Sequence, residues 1–238
     1  MGKNVLIVGA SGDIGKAISE RLVKDGYNVM LHYNKNRENI DAMRKELNSE
    51  AILTVHQADL SNNEEMKRFL TELVLPVDYV VFAGGNAHFG LLQDTSEKVM
   101  DDMLSLHVKA PWMITKHLLP QMIQNKKGKI IFITSIWGNT GASYEVIYSS
   151  VKGAQNSFVK ALAKEVAPSG IMVNAISPGY IETKMNGHLT DDEKMSIIAE
   201  IPLHRAGLPS EIAHSVSFLL DERASYIQGE IINITGGW

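Results

Sequence analysis

The sequence predicts one α/β domain of the doubly wound type, a seven-stranded parallel sheet with helices on both faces, spanning residues 1–238. Two observations carry that expectation. Seven short apolar runs are β-branched and nearly continuous rather than alternating, as in strands buried on both faces. Longer amphipathic stretches separate them, and strand–helix alternation over such a length gives parallel strands joined by right-handed crossovers. With 238 residues, 45% hydrophobic and 21% charged, the chain can bury one sizeable core.

In chain order, the predicted strands are Asn4–Val8, Asn28–His32, Ile52–His56, Tyr79–Phe82, Ile130–Thr134, Met172–Ile176 and Ile231–Ile234. The predicted helices are Ile14–Asp25, Arg37–Asn48, Glu64–Leu73, Ser96–Asn125, Tyr148–Ala167 and Ser210–Leu220. No linker or repeat divides them. Residues 178–202 stand apart, polar and charged through Asn186-Gly187-His188 and Thr190-Asp191-Asp192-Glu193, with an apolar stripe at Met195, Ile198 and Ile201. They read as a substrate lid over the strands' carboxyl ends, or else as an ordinary surface helix.

Composition excludes several functions. A net charge of −4 gives no nucleic-acid surface, and the absence of cysteine removes disulfides, thiolate metal sites and cysteine nucleophiles. The eight histidines show no metal-ligand spacing, so no metal is expected. The first apolar run is too short for a signal peptide or a membrane span. A cytoplasmic protein without a membrane partner is the expectation.

Directly after the first strand comes Gly9-Ala10-Ser11-Gly12-Asp13-Ile14-Gly15. Glycines there let the backbone turn tightly and approach a pyrophosphate, whose charge meets the free N–H groups at a helix start. Farther along, Ser135 precedes Tyr148-Ser149-Ser150-Val151-Lys152. Residues four apart share a helix face, so Lys152 is expected beneath Tyr148, lowering the phenol's pKa toward the working range of a proton donor. Tyr-x-x-x-Lys alone equally fits a packed tyrosine beside a solvated lysine.

Taken together, these motifs resemble the short-chain dehydrogenase/reductase family, from Lys3 to Gly237, and imply a Rossmann-type domain. The family's T-G-x-x-x-G-x-G loop aligns with Val8–Gly15, putting Val8 for the threonine and Asp13 for the middle glycine. Gly9, Ser11, Gly12, Asp13, Ile14 and Gly15 become the implied cofactor contacts, Asp59 and Leu60 the adenine pocket, and Ser135, Tyr148 and Lys152 the catalytic groups. The family's P-G motif falls on Pro178-Gly179, so Pro178, Gly179, Ile181 and Thr183 are implied around the nicotinamide. Its N-N-A-G segment reads Phe82-Ala83-Gly84-Gly85, which loses the bracing asparagine. Ala83, Gly84 and Gly85 keep backbone approach to the ribose, and Asn86 offers a replacement side chain. His107 stands where the family has a catalytic asparagine. Histidine titrates near neutral pH, so His107 is expected either to relay protons or to pack in its helix.

Enzymes using NAD usually end the second strand in an acid that holds the ribose 2′-hydroxyl. Here Tyr33 occupies that place, followed by Asn34, Lys35, Asn36 and Arg37, so NADP(H) is the expected cofactor. The resemblance implies reduction of a ketone to a secondary alcohol by hydride transfer, with Tyr148 as proton donor and Lys152 also holding the nicotinamide ribose.

The runs Tyr148–Gly153, Val173-Asn174-Ala175 and His204–Ile212 are similar to the 3-oxoacyl-acyl-carrier-protein reductase branch. Lys126 matches a basic position of that branch, and Ser169 replaces an arginine. Trp137–Val146 and Gly236-Gly237-Trp238 look more like elongation factor P 5-aminopentanone reductases, with Glu145 placed to meet an amine. The substrate is therefore a small or carrier-linked ketone, or a modified elongation factor P. A nucleotide-binding regulator without catalysis is the reading from another class. A homotetramer is implied by the two long helices, with Trp112, Met113, Phe158, Leu162 and Trp238 at the contacts.

Overall fold

The computed structural model describes residues 2–187 and 189–238; Met1 and His188, the latter within the 178–202 segment, lie outside the described residues. Seven strands form: β1 Asn4–Val8, β2 Asn28–Tyr33, β3 Ile52–Gln57, β4 Tyr79–Phe82, β5 Gly128–Ile133, β6 Ile171–Pro178 and β7 Ile231–Ile234. They make one parallel sheet in the order β3-β2-β1-β4-β5-β6-β7. The chain winds outward from β1 to β3, then returns to β4 on the other side. This reversal leaves a crevice at the carboxyl ends of β1 and β4.

Three helices cover each face. The helices α1 Asp13–Lys24 and α2 Arg37–Glu46 follow β1 and β2, and α3 Asn63–Glu72 follows β3. After β4 comes one long helical rod, in which a wider π turn at Ser105–Lys109 joins α4 Glu97–Leu104 to α5 Ala110–Gln124. Beyond β5 lie the short α6 Trp137–Thr140 and the long α7 Val146–Val166, while α8 Asp191–Glu200 and α9 Pro209–Leu220 follow β6. Strand alternation sorts the core. Leu6 and Val8 pack with α3, α5 and α7, whereas Val5 and Ile7 pack with α1, α2 and α9. Side chains buried this completely each contribute about 1.5–3 kcal/mol, which is why the runs are continuous rather than alternating.

Within 178–202, Lys184–Asn186 forms a single tight turn and Thr190 caps α8 through a reciprocal bond with Glu193. The expected stripe is only partly right. Ile201 is buried, but Met195 is 60% exposed and Ile197 rather than Ile198 lines a cavity. No residue of α8 is fully buried, so the helix lies on the surface rather than packing a full stripe inward. No helix of the described residues is long and apolar enough to cross a membrane.

Two glycines set how closely the crossover loops approach. Gly9 adopts φ +85°, and a Cβ there would lie 2.3 Å from Gly84 Cα. A Cβ on Gly15 would lie 2.1 Å from Gly9 O and 2.9 Å from Ala10 Cα. Backbone cannot yield as a flexible side chain would. Gly15→Ala should therefore cost about 1–3 kcal/mol as an overpacked site, read as a lower urea midpoint with an unchanged slope.

Candidate active site

Two cavities, of about 230 and 470 Å³, open along the carboxyl edge of the sheet. They share Ile14, Ala83, Gly84, Gly85, Thr183 and Met185 and so form one trough. The larger half runs over the first turn of α1, past Gly9, Ser11, Gly12 and Asp13, to Asn34, Lys35 and Leu60. At Gly12 an added Cβ would meet only Gly9 O, 3.6 Å away, so room remains at a helix start, where the first N–H groups lack intrahelical partners. Such an open glycine turn fits a dinucleotide pyrophosphate.

This half departs from expectation in four places. Tyr33 does not line it: alternation along β2 turns the ring into the core, where its hydroxyl donates to Gln57 Oε1 at 3.1 Å. Gly15 serves the loop's packing rather than its lining. Asp59 stands beside the trough, its Oδ1 accepting from Ser61 N–H at 3.0 Å and Ser61 Oγ at 2.6 Å. Burial works to raise the Asp59 carboxyl, but Ser61, Asn34 and nearby Lys35 hold it below its ordinary value. Arg37 points outward and pairs with Asp41.

Two residues here escaped the sequence reading. Asn39 Nδ2 donates to Ser11 O at 2.8 Å, tying α2 to the glycine loop. His32, buried, accepts from Gly9 N–H at Nδ1 (3.2 Å) and bonds Ala58 O through Nε2 (3.0 Å). Burial pushes its pKa down to about 4. Only folding joins His32 of β2 to the loops after β1 and β3.

The smaller half gathers Ser135, Tyr148, Lys152 and His107, with Pro178, Gly179, Ile181 and Thr183 on its far wall. Ser135 follows β5, and α7 begins at Val146, which brings Tyr148 into the same cavity, where the Ser135 side chain favours the phenolate. Lys152 lies one turn on. Its Nζ donates to Ile133 O at 3.0 Å and stands 5.6 Å from the centre of the Tyr148 ring. The expected drop in the phenol's pKa is absent. Burial pushes Tyr148 up to about 12 against the lowering bond from Ser135, and burial pulls Lys152 down to about 7. Desolvation dominates both groups, so the proton rests on the phenol.

His107 reaches the same cavity because the π turn rotates it inward. Its ring stacks edge-on to Tyr148 at 6.0 Å and lies over Gly85, where a Cβ would come within 2.5 Å of Cε1. Nε2 is engaged by Asn86, 3.0 Å from its carbonyl oxygen, 3.2 Å from its Oδ1 and 3.4 Å from its backbone N–H. Nδ1 is buried and has no hydrogen-bond partner among the described residues. The expectation of titration near neutral pH fails: burial, and then the Lys152 charge, push His107 down to about 3.

A family model described as Enoyl-(Acyl carrier protein) reductase matches residues 9–238. The chain belongs to the short-chain dehydrogenase/reductase family. It is 48% identical to "Uncharacterized oxidoreductase YmfI" of Bacillus subtilis (strain 168), with 100% of this chain and 99% of that protein covered. It is 33% identical to the 3-oxoacyl-[acyl-carrier-protein] reductase FabG of Staphylococcus epidermidis over 100% of this chain and 99% of that protein. Identity to the FabG of Rickettsia conorii is also 33%, over 99% and 96%. It is an oxidoreductase of the 3-oxoacyl-acyl-carrier-protein reductase-like branch.

Membership in this family explains some departures and sharpens others. Where its members brace the central strands with asparagine, Phe82 here packs 4.6 Å from Phe132 and braces them by apolar contact. Trp238 sets its ring 5.2 Å from Trp137 and walls the smaller cavity. Lys126 and Ser169 precede β5 and β6, at the opposite end of the sheet from this trough. They cannot flank this protomer's own cavity.

His32 and His107 stay neutral in the fold, whereas an unfolded chain binds protons at the ordinary value of about 6.5. Below that pH the unfolded state holds more protons, so stability falls as pH drops, toward about 4 for His32 and about 3 for His107. Urea midpoints measured stepwise below pH ~6.5 should decline, and His107→Asn should flatten the decline. A parent profile without any decline would show the imidazoles charged in the fold.

Proposed function

We propose that this protein is an NADPH-dependent ketone reductase of the 3-oxoacyl-acyl-carrier-protein reductase type, acting in the cytoplasm. The observation that carries the reading is the single trough joining the glycine loop to Ser135, Tyr148 and Lys152. Bound there, a nicotinamide dinucleotide supplies the two electrons. Preference for NADPH is supported by Lys35 on the trough wall, by Asn34 and Asn36 beside it, and by the absence of a carboxylate at the end of β2 among the lining residues.

Ser135 and Tyr148 offer two hydroxyls to one carbonyl oxygen, where negative charge grows during reduction. Tyr148 holds its proton at neutral pH, and an alkoxide is a far stronger base than a phenolate, so transfer to oxygen runs downhill. Lys152, with a pKa near 7, then stands ready to return a proton to the phenol. His107, neutral in this buried wall, offers its unpartnered Nδ1 to a water rather than titrating. An inactive regulator would have no use for four such groups converging in one buried wall.

A second reading, reduction of the 5-aminopentanone on a modified elongation factor P, is supported by Glu145, Trp137 and Trp238 around the same cavity. A carboxylate and two indoles suit an amine-bearing chain. Lys126, at the opposite end of the sheet, does not lend this protomer's trough the basic group that an acidic carrier would meet there. We also propose a homotetramer, since Trp112 is 46% exposed while stacking 6.1 Å from Phe158 on the α5–α7 face.

Tyr148→Phe should keep dinucleotide binding and lower kcat by about 100- to 10,000-fold, measured by NADPH oxidation with an acetoacetyl thioester. Retained turnover removes the assignment of the phenol. Assayed side by side on that thioester and on the modified factor, Glu145→Gln should lose activity selectively on the amine-bearing substrate if the second reading holds. Equal losses on both substrates decide for the first.

A further inference from the structure

The reading above leaves the Asp13 carboxylate without a task. Asp13 opens α1 at the position where the aligned loop motif has glycine. Its Oδ2 accepts the backbone N–H of Lys184 at 2.6 Å, a contact between residues 171 apart in sequence. Thr183, Lys184 and Met185 form one wall of the larger cavity, opposite the glycine loop. The turn that carries them is closed within the segment by Asn186, whose N–H donates to Thr183 O at 3.1 Å and whose Nδ2 donates to Ile181 O at 2.8 Å. Asp13 therefore links a locally self-contained turn across the trough to the floor on which a pyrophosphate would lie.

We propose that Asp13 is a positioning residue for the dinucleotide, its carboxylate clasping the Lys184 N–H and holding the 183–185 turn over the groove. This rests on the reading of the groove as a dinucleotide site. An N–H bonded to a carboxylate is among the stronger hydrogen bonds, and glycine at position 13 has no acceptor to offer. A dinucleotide beneath the turn leaves when the turn lifts, so the clasp acts mainly on the rate of release. Because the pyrophosphate is common to both nicotinamide dinucleotides, the clasp serves NADPH and NADH alike. It is thereby separate from the discrimination assigned to Lys35.

Two measurements on the full-length protein test it: amide exchange in the peptide spanning 181–187 of the free protein, and fluorescence titration with NADPH and with NADH. The variants are Asp13→Ala, Asp13→Asn and Lys184→Ala, the first two leaving the buried face of α1 intact. Asp13→Ala should speed exchange by about tenfold or more, the worth of a hydrogen bond to a charged group. It should also weaken both dinucleotides by a similar factor of about 3 to 30. Asp13→Asn, which keeps an oxygen acceptor, should fall between Asp13→Ala and the parent. Lys184→Ala keeps the N–H and should leave exchange unchanged. Unaltered exchange in Asp13→Ala overturns the clasp. Faster exchange with unchanged affinities overturns its role in holding the dinucleotide. A parent that binds neither dinucleotide overturns the reading of the groove itself, whereas binding that is indifferent to Asp13 overturns this proposal alone.

Discussion

Backbone against backbone, where β1 and β4 end, is the constraint on which the site depends. Gly9 and Gly84 meet with no side chain between them, and Gly15 brings α1 down onto the Gly9 carbonyl. Three consequences follow. The first turn of α1 lines the crevice, the crevice stays open along its length, and the residues after β4 lie low enough for His107 to cover Gly85. A single methyl group at this junction would separate the two halves of the trough by steric displacement alone. The sheet order places the junction at the point where the winding reverses, so the fold and the site share one origin.

Burial, more than pairing, sets the electrostatics of the smaller cavity. Lys152, Tyr148 and His107 all shift toward their neutral forms. Desolvation penalises each charged form, and the cation–phenol attraction that spacing alone suggests is outweighed. The outcome suits a reductase, which needs a protonated phenol, better than a lowered phenol pKa would. It also changes what the histidine offers. Its Nε2 is committed to Asn86 and its carbonyl is taken by Gln155 Nε2 at 2.7 Å, so Nδ1 is the ring nitrogen left without a partner among the described residues.

Much of the arrangement is visible in the chain before folding. The seven apolar runs become the seven strands with boundaries shifted by a few residues, because complete burial on both faces writes itself into continuous hydrophobicity. Ser135, Tyr148 and Lys152 are found by spacing, since two share a helix face and the third ends a strand. Tyr33 is misplaced by the same logic that finds the others. Its position at the end of β2 is right, but the period of two sends its ring to the far face, and His32 occupies the trough instead.

The sequence by itself determined the sheet, its helices, the glycine loop and the serine–tyrosine–lysine set, because each is a local pattern of period, turn or spacing. Tertiary structure alone decided which charges survive burial, which end of the sheet Lys126 faces, and that Asp13 reaches Lys184 and Trp238 reaches Trp137. Those outcomes depend on desolvation and on contacts between distant segments. Neither quantity exists until the chain has closed on itself.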